Sequence, residues 1–466
     1  LENWNEHEVT WNSMPQYDNK IIDFVEFMDT TGQSVQFDIT EVVKDWYTNG
    51  NKHGLLLKDS QEAGTYIEFL SADSHEAYAE LRPRMFIQYV NYTGIQNFWT
   101  YHTQDIGRAG QVYVNDYNGN MIYRRSLFTG SGNLMPYALE FVYNSNDKDV
   151  DIGYGKGFRM NYHQKIELKK IENISYYEWI DGTGTRHYFK QDSENGKWMD
   201  ELNNELELTI ETVAAEKYVI SSKKDHKLIF DSSGLLVQVK DVNGNSLTIT
   251  YDTTPKISSV TDGAGRSVHM DYNEYGTITV TDPAGRNIWC NKHNGYLNGF
   301  QDYDGKTCSL EYENGLIVRV NNFDNYSMAY EYTETPTRVK RIKEYAGGAV
   351  QKTLDIEYGF NINKFKDDRG RCEYYLFDNA GRTVSIKNDE GYAQVSEYMK
   401  DGASVNKLSQ VSKLQRTIPQ LAKNPYLLDT EEWIANSSSA VINTNSAYVR
   451  TGMKSLKISC DSLNST

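Results

Sequence analysis

Residues 262–312 read DGAGRSVHMDY (262–272), NEYGTITVT (273–281), DPAGRNIWCNK (282–292), HNGYLNGFQ (293–301) and DYDGKTCSLEY (302–312). Three of these pieces open on Asp-x-x-Gly and continue into a run that alternates apolar and polar residues. Asp opens a turn by accepting hydrogen bonds from backbone two residues on, and Gly supplies the positive-φ position. The alternation that follows, as in Val268-His-Met-Asp-Tyr272, has the period of a half-buried strand. The piece therefore reads as a chain of antiparallel hairpins.

Working outward, the Asp openings fall at Asp241, Asp262, Asp282 and Asp302, 21, 20 and 20 residues apart, with a degenerate copy at Asn322. Weaker copies lie halfway between, at Asn273–Gly276, Lys292–Gly295 and Glu313–Gly315. A fixed period of this length marks a repeat architecture. No single hairpin is stable alone, so neighbours must pair edge to edge into one long twisted sheet. The pattern starts near residue 174, with two strands around Asp181-Gly-Thr-Gly184. It is less regular over 335–362 and returns at Asp367, Asp378 and Asp389–Gly391.

Upstream, residues 1–92 read as short strands (21–28, 34–40, 53–58, 65–72 and 85–92) separated by Gly, Asn and Asp clusters. One helix is expected over 39–48, with Thr40 as N-cap and Val42, Val43, Trp46 and Tyr47 on one face. This is the spacing of a β-sandwich. Residues 93–173 form a transition region, with a hairpin around Asn118-Gly119 flanked by Tyr113, Val114, Met121 and Tyr123, and strands over 135–146 and 154–168. Downstream of the 174–397 array, residues 398–430 read as a linker with one helix, and 431–466 as the start of another β module. The expected fold is all-β: a partial sandwich followed by a hairpin array that coils or forms part of a shell.

Composition fits this. The chain of 466 residues has 35 Tyr against 16 Phe and 8 Trp, with mean hydropathy −0.66 and net charge −16. Tyr suits strands that are half buried and half wet, and such aromatic content argues against disorder. The acidic balance excludes a nucleic-acid binder and is compatible with polar ligands such as glycans. No run of 18 apolar residues exists, so no membrane-spanning helix is expected. The four cysteines, Cys290, Cys308, Cys372 and Cys460, form no CxxC pair, and a Cys290–Cys308 bridge between neighbouring strands is a geometric option. The chain begins at Leu1 and stops at Thr466 in mid-pattern, and both ends read as cuts in a longer protein.

Chemistry-bearing motifs are sparse. The Asp residues recur with the turns, whereas a catalytic acid pair is a local arrangement. His53, His269 and the other histidines form no HxH or HExxH. The Ser-rich loop 436–440 lacks a G-x-S-x-G frame, and the Gly pairs in DGAGRSV and DGTGTRH precede no helix. The expectation is no catalytic, cofactor or metal site. Trp46 and Tyr47 are a candidate sugar-stacking pair, although their spacing with Val42 and Val43 also fits a helix core.

The repeat D-x-x-G-[RKN] ending in Tyr resembles the RHS or YD-repeat family, carried by Asp262–Arg266 with Tyr272, Asp282–Arg286, Asp302–Lys306 with Tyr312, and Asp378–Arg382. It covers roughly residues 150–395. The N-terminal part resembles the C-terminal half of a DNRLRE domain, through Val9-Thr-Trp11-Asn12, Pro15, FDITEVVKDWYTNGNKHGLLLK (37–58) and Arg82-Pro83 with MFIQY. This order is that of large wall-associated or secreted proteins of Gram-positive bacteria. The resemblance implies a carbohydrate-binding sandwich and a hollow β-shell, which in many members encloses a C-terminal toxin. It also implies polysaccharide and a toxin as partners, and a secreted or wall-associated location. The segment after 430 resembles the start of a jelly-roll carbohydrate-binding module. Toxin-bearing members carry a D-P-x-G-L self-cleavage motif. Asp282-Pro283-Ala-Gly285 departs from it at Arg286 and lies in mid-array, so it reads as an ordinary turn. Three functions compete: a toxin-enclosing scaffold, a surface adhesin with the repeats as spacer, and a polysaccharide-active enzyme, for which no acid pair stands out.

Overall fold

The computed structural model describes residues 93–414, apart from 172–173, 194, 201–205, 212–216, 223–225, 335, 360, 379 and 400–406. Upstream it describes 8–18, 20–24, 35, 37, 39, 42–43, 46, 54–58 and 69–85, and downstream 438–443 and 455–460. Two compact units emerge, one of residues 1–89 with 421–466 and one of 90–420.

The second unit is all-β and holds two sheets. The smaller has five antiparallel strands in sequential order: β1 (Tyr101–Asp105), β2 (Gln111–Asn115), β3 (Met121–Thr129), β4 (Ala138–Asn144) and β5 (Phe158–Met160). The hairpin expected around Asn118-Gly119 is present, with Val114 opposite Met121 and Val112 opposite Tyr123. Val112, Met121, Ile122, Tyr123, Leu139, Phe141, Val142, Tyr143, Phe158 and Met160 are all buried. Because both Ile122 and its neighbours Met121 and Tyr123 are buried, this sheet is covered on both faces. Each fully buried Tyr or Phe contributes about 1.5–3 kcal/mol.

The larger sheet has 24 antiparallel strands in strict chain order, from β6 (Lys165–Ile171) to β29 (Leu408–Leu414). It does not close: β6 and β29 each pair with their chain neighbour, and not with each other, among the described residues. It does curl. The start of β6 meets the turn before β13 (Leu236–Lys240), with Ile166 N donating to Gly234 O at 2.8 Å and Leu236 N to Gln164 O at 3.1 Å. A twisted sheet of many strands coils in this way.

The larger sheet wraps the smaller one. Tyr143 Oη donates to Gly315 O (2.9 Å), Tyr154 Oη accepts from Ile257 N (2.9 Å) and Asn363 Nδ2 donates to Asp116 O (2.5 Å). Trp99 Nε1 donates to Ala380 O (3.1 Å). These four contacts fall at or beside turns at one end of the wrapping strands, and Gly263 N donating to Leu134 O (2.9 Å) and Arg125 Nη2 to Asp302 Oδ1 (2.5 Å) reach turns at the other. The transition region is thus not a lead-in to the array but the body around which the array is folded. The segment 154–168 does not continue one sheet: it supplies the last strand of the small sheet and the first of the large one. The array also runs beyond the expected 174–397. Residues 165–171 and 408–414 are strands of it; LSQVSKL pairs with Ala393–Tyr398 although its apolar residues fall at every third position, with a bulge at Ser409.

The recurrent turn explains the repeat. Asp262 Oδ1 accepts from Ala264 N (3.0 Å) and Arg266 N (2.9 Å), and Oδ2 accepts from Arg266 Nε (2.9 Å). Gly265 N donates to Asp262 O (3.0 Å) with φ +80°. Asp282 forms the same ring with Arg286, Asp367 with Arg371 and Asp378 with Arg382. Asn273 does the same through backbone alone. The halfway copies at 292 and 313 are a different device: two-residue turns with Asn294 and Asn314 at φ +51°, each followed by Gly. The turn read at Asp389 opens one residue earlier, at Asn388, whose Oδ1 takes Glu390 N and Tyr392 N. Asp389 is thereby freed to accept from Cys372 N (2.8 Å).

In the first unit the described residues of 21–24, 54–58 and 69–70 lie outside strands, and the other expected strand residues fall largely outside the described ones. Of the helix expected over 39–48, Val42, Val43 and Trp46 are helical, with Val43 N donating to Ile39 O, while Thr40 and Tyr47 lie outside the described residues. Trp11–Ser13 form a 3-10 turn capped by Thr10. Ser438–Asn443 and Ser455–Cys460 form a hairpin.

Candidate functional site

The carboxylates of Asp262 and Asp282 are committed to their turns. Asp262 and Asp282 are nearly buried, which raises their pKa values. The backbone N–H and guanidinium of the arginine four residues on outweigh this and hold both below the usual range. Asp302 breaks the pattern. Its Oδ1 accepts instead from Arg125 Nη2 of the small sheet at 2.5 Å, and both side chains are buried. Asp304 takes over the turn and binds Arg108 (2.5 Å). This buried ion pair fixes the wrapped sheet to the wrapping one, and its sequence signal, an Asp in an ordinary repeat, does not distinguish it.

A polar knot that the sequence did not reveal surrounds His187 on β8 (Arg186–Gln191). Its Nε2 lies 3.3 Å from Asp181 Oδ2 and its Nδ1 3.3 Å from Asp200 Oδ2, and its ring stacks on Trp179 at 4.5 Å. Burial lowers its pKa, but the hydrogen bonds and charges of Asp181 and Asp200 overcome that and bring it to about 9. Asp181 also holds Thr183 N and Thr185 N. That turn grips the incoming chain: Gly94 N donates to Thr185 Oγ1 (3.1 Å) and Ile95 N to Thr183 Oγ1 (3.2 Å). His163, buried beside Arg159 and Lys165 and bonded to Tyr154 Oη (2.8 Å), is pushed down to about 4 instead.

A cleft of about 340 Å³ between the sheets is lined by Arg124, Glu140, Tyr162, Gln164, Trp179 and Asp181, among others. Its carboxylates are committed: Glu140 Oε2 accepts from Arg124 Nε (2.9 Å), and Asp181 serves its turn and His187. Neither is placed as a general acid beside a free partner. Among the described residues no group of three or more His, Cys, Asp or Glu is arranged to hold a metal ion. Cys290, Cys308 and Cys372 are buried free thiols. The bridge between Cys290 and Cys308 does not form. Both pair with Phe300, from opposite sides, which places them two strand spacings, about 10 Å, apart, beyond disulfide reach. Of the two histidines singled out, His269 faces Thr281 across β16 and β17 (Ser267–Tyr272 and Thr277–Thr281), and His53 lies outside the described residues. Trp46 is half-buried on its helical turn beside half-buried Val42 and Val43.

With this geometry in place, comparison with known proteins gives two family matches. Residues 1–88 match carbohydrate-binding module family 96, and residues 113–189 match a domain of unknown function, DUF6531. The first corresponds to the stretch carrying the candidate Trp46. The second spans most of the small sheet and the first strands of the large one. No curated protein matches. Among solved structures, a porin-like protein from Bacteroides uniformis aligns at 12% identity and TM-score 0.19, over 54% of this chain and 92% of that one. TcdB2-TccC3-TEV aligns at 9% identity and TM-score 0.23, over 63% of this chain and 16% of the other. TcdB2-TccC3-Cdc42 aligns at 8% and 0.22, over 64% and 19%. This chain thus corresponds to less than one fifth of either TcdB2-TccC3 polypeptide, and these scores fall short of a shared fold.

Proposed function

We propose that this chain is a non-catalytic scaffold from a secreted or wall-associated bacterial protein, in which an N-terminal module binds polysaccharide and the repeat sheet forms part of a shell. The observation that carries the scaffold reading is the wrapping: 24 sequential strands folded around a five-stranded sheet, with the repeat carboxylates consumed in turns. The match of residues 1–88 to a carbohydrate-binding module supports the glycan partner. On this reading the N-terminal module is the DNRLRE-like sandwich of the sequence resemblance, and the array is an RHS/YD-repeat shell able to enclose or deliver a downstream toxin.

A second reading, a surface adhesin with the array as spacer, is favoured by the same module match. Both predict retention of the chain on purified wall polysaccharide, lost in Trp46→Ala with an unchanged melting temperature. A folded chain that passes unretained over wall, plant and storage polysaccharides counts against both. The coding sequence following Thr466 separates them. A D-P-x-G-L motif with an unrelated tail fits the toxin shell, and further sugar-binding modules with a wall anchor fit the adhesin.

A further inference from the structure

The face of the large sheet turned away from the small one carries a tryptophan that the core does not use. In β18 (Asn287–His293) Ile288 and Cys290 are buried in the core, so Asn287, Trp289 and Asn291 point the other way. Trp289 stands in a cross-strand row of this outer face with Asp271 of β16, Thr279 of β17, Gln301 of β19 (Tyr296–Gln301) and Thr307 of β20 (Thr307–Glu313). Thr281 and Asn287 lie along one side of the row, and Thr277 and Asn291 along the other.

The chemistry of these positions departs from that of the chain. Charged residues make up 24% of the sequence, yet here there is no Lys or Arg and one carboxylate, Asp271. Trp289 is half-buried, and its indole N–H has no hydrogen-bond partner among the described residues. The side chains of Thr279 and Gln301, on either side of it, have none either. Elsewhere on the same face such groups are paired: Thr281 Oγ1 donates to Asn287 Oδ1 (2.8 Å) and Asn321 Nδ2 to Glu311 Oε1 (2.8 Å).

An aromatic ring bordered by open, neutral donors and acceptors matches a sugar, whose ring carbons offer an apolar face and whose hydroxyls lie around its edge. A net charge of −16 and the lack of a cation in the row disfavour an anionic glycan. Neighbouring strands are about 4.8 Å apart, so the row from Asp271 to Thr307 is about 19 Å long. One strand spacing is close to the advance per residue of an extended β-linked sugar chain, so a chain laid along the row sets successive sugars over successive strands. Cross-strand packing alone would account for the ring, but not for the open polar groups beside it.

We propose that the outer face of β16 to β20 binds a neutral, extended polysaccharide, with one sugar stacked on Trp289 and the flanking ones hydrogen-bonded to Thr279 and Gln301. This site is separate from the glycan site read in residues 1–88 and does not depend on it. A single open platform binds weakly, with a dissociation constant on the order of 1 mM, so it slows a chain in a polysaccharide gel without holding it on a column.

Affinity electrophoresis of the full 466-residue chain tests this, with hydroxyethylcellulose as the neutral β-linked probe and polygalacturonate as an acidic one. The variants are made on Trp46→Ala, which removes the candidate platform of the N-terminal module. The Trp46→Ala chain is expected to be slowed by hydroxyethylcellulose and not by polygalacturonate. Adding Trp289→Ala is expected to weaken this binding about tenfold or more, and adding Gln301→Ala, at an exposed position, about threefold. Adding Trp289→Tyr, which keeps a flat ring, is expected to retain most of it. Slowing of the parent but not of Trp46→Ala overturns the array site and leaves the N-terminal reading intact. Equal slowing by polygalacturonate overturns it, and so does slowing that neither Trp289→Ala nor Gln301→Ala reduces.

Discussion

The two sheets of residues 90–420 reach stability by opposite routes. In the repeat strands of the large sheet the burial alternates, as in Ser267–Tyr272, where Val268 and Met270 are inside and His269 and Asp271 outside. Order there is local: an Asx ring closes each successive turn at Asp231, Asp241, Asp252, Asp262, Asn273 and Asp282, and each strand pairs with its chain neighbour. In the small sheet β3 to β5 are buried on both faces, and their polar groups find partners far away in sequence, as Tyr143 does at Gly315 and Arg125 at Asp302. Periodic sequence builds the wrapper, and non-periodic sequence fixes where it wraps.

That contrast breaks hardest at Arg125. Arg125→Ala leaves the buried Asp302 carboxylate without its main partner, with only Arg108 at 3.8 Å remaining. The expected loss is about 3–5 kcal/mol in denaturant unfolding, whereas the pair replacement Arg125→Met with Asp302→Asn recovers most of it. If the single and double variants are equally unstable, the ion pair does not join the sheets.

Glycines sharpen it next. Gly234 and Gly265 share the same left-handed backbone, φ +82° and +80°. A Cβ at Gly234 would lie 2.0 Å from Ile166 O, where the large sheet touches its own first strand, while at Gly265 nothing lies within 4 Å. Gly265→Val is therefore expected to cost about 1–3 kcal/mol from backbone strain alone. Gly234→Val adds displacement of the strand contact and is expected to cost upwards of about 3 kcal/mol. Equal melting shifts in the two variants would show that the curl is not closed at that point.

The repeats were legible because their physics is contained within five residues: Asp262 needs only Ala264 and Arg266 to act. The 20-residue spacing then dictates an antiparallel meander. The small sheet was legible only as strands. Nothing in MIYRRSLFT announces that Arg125 reaches a repeat Asp 177 positions on, and Asp302 looks like Asp282 until its carboxylate is traced. His187 was invisible for a related reason. Its two carboxylates lie on either side of it in sequence, and one of them already had a satisfactory reading as a turn former. The limits of the array were drawn short because LSQVSKL and KIELKKI lack the Asp-x-x-Gly signature, and in LSQVSKL the apolar residues Leu408, Val411 and Leu414 recur at every third position instead of every second.

Within the large sheet, His187 supplies a pH handle. Its folded pKa, about 9, lies above the ordinary imidazole value. The protonated form is thus favoured by folding, and its stabilisation is fully present below about pH 6.5 and is lost as pH rises through about 9. The effect is on the order of 3 kcal/mol. The chain should melt lower at pH 9.5 than at pH 6.5, and His187→Gln should remove most of that difference. A pH dependence identical in the variant would assign the alkaline loss to other groups.

The smallest effect belongs to the tyrosine that ends the repeat. Tyr251, Tyr272, Tyr312, Tyr332 and Tyr398 each donate a hydroxyl to the carbonyl of the residue fifteen positions earlier: Leu236, Ile257, Leu297, Ile317 and Thr383. At four of these tyrosines the strand register shifts, as between Thr250 and Tyr251 or Glu331 and Tyr332. Such an irregularity disrupts the ladder, and a phenol reaching inward supplies a replacement donor. Phenylalanine would fill the same volume without that donor, which is why the wrapper is rich in Tyr where a dry core would use Phe. At position 292, where the spacing calls for a tyrosine, Lys292 instead donates Nζ to Gly153 O at 3.2 Å, still bonding a backbone carbonyl from the interior side. Tyr272→Phe keeps the ring and its contact with Lys256 Nζ (4.1 Å) but leaves Ile257 O short of a donor. The expected cost is about 1 kcal/mol in denaturant unfolding. Tyr272→Leu should cost more, because ring and hydroxyl are then both lost. If the Phe variant matches the parent and only Leu destabilises, the repeat selects tyrosine for its ring, and the carbonyl bonds are incidental to the wrapping.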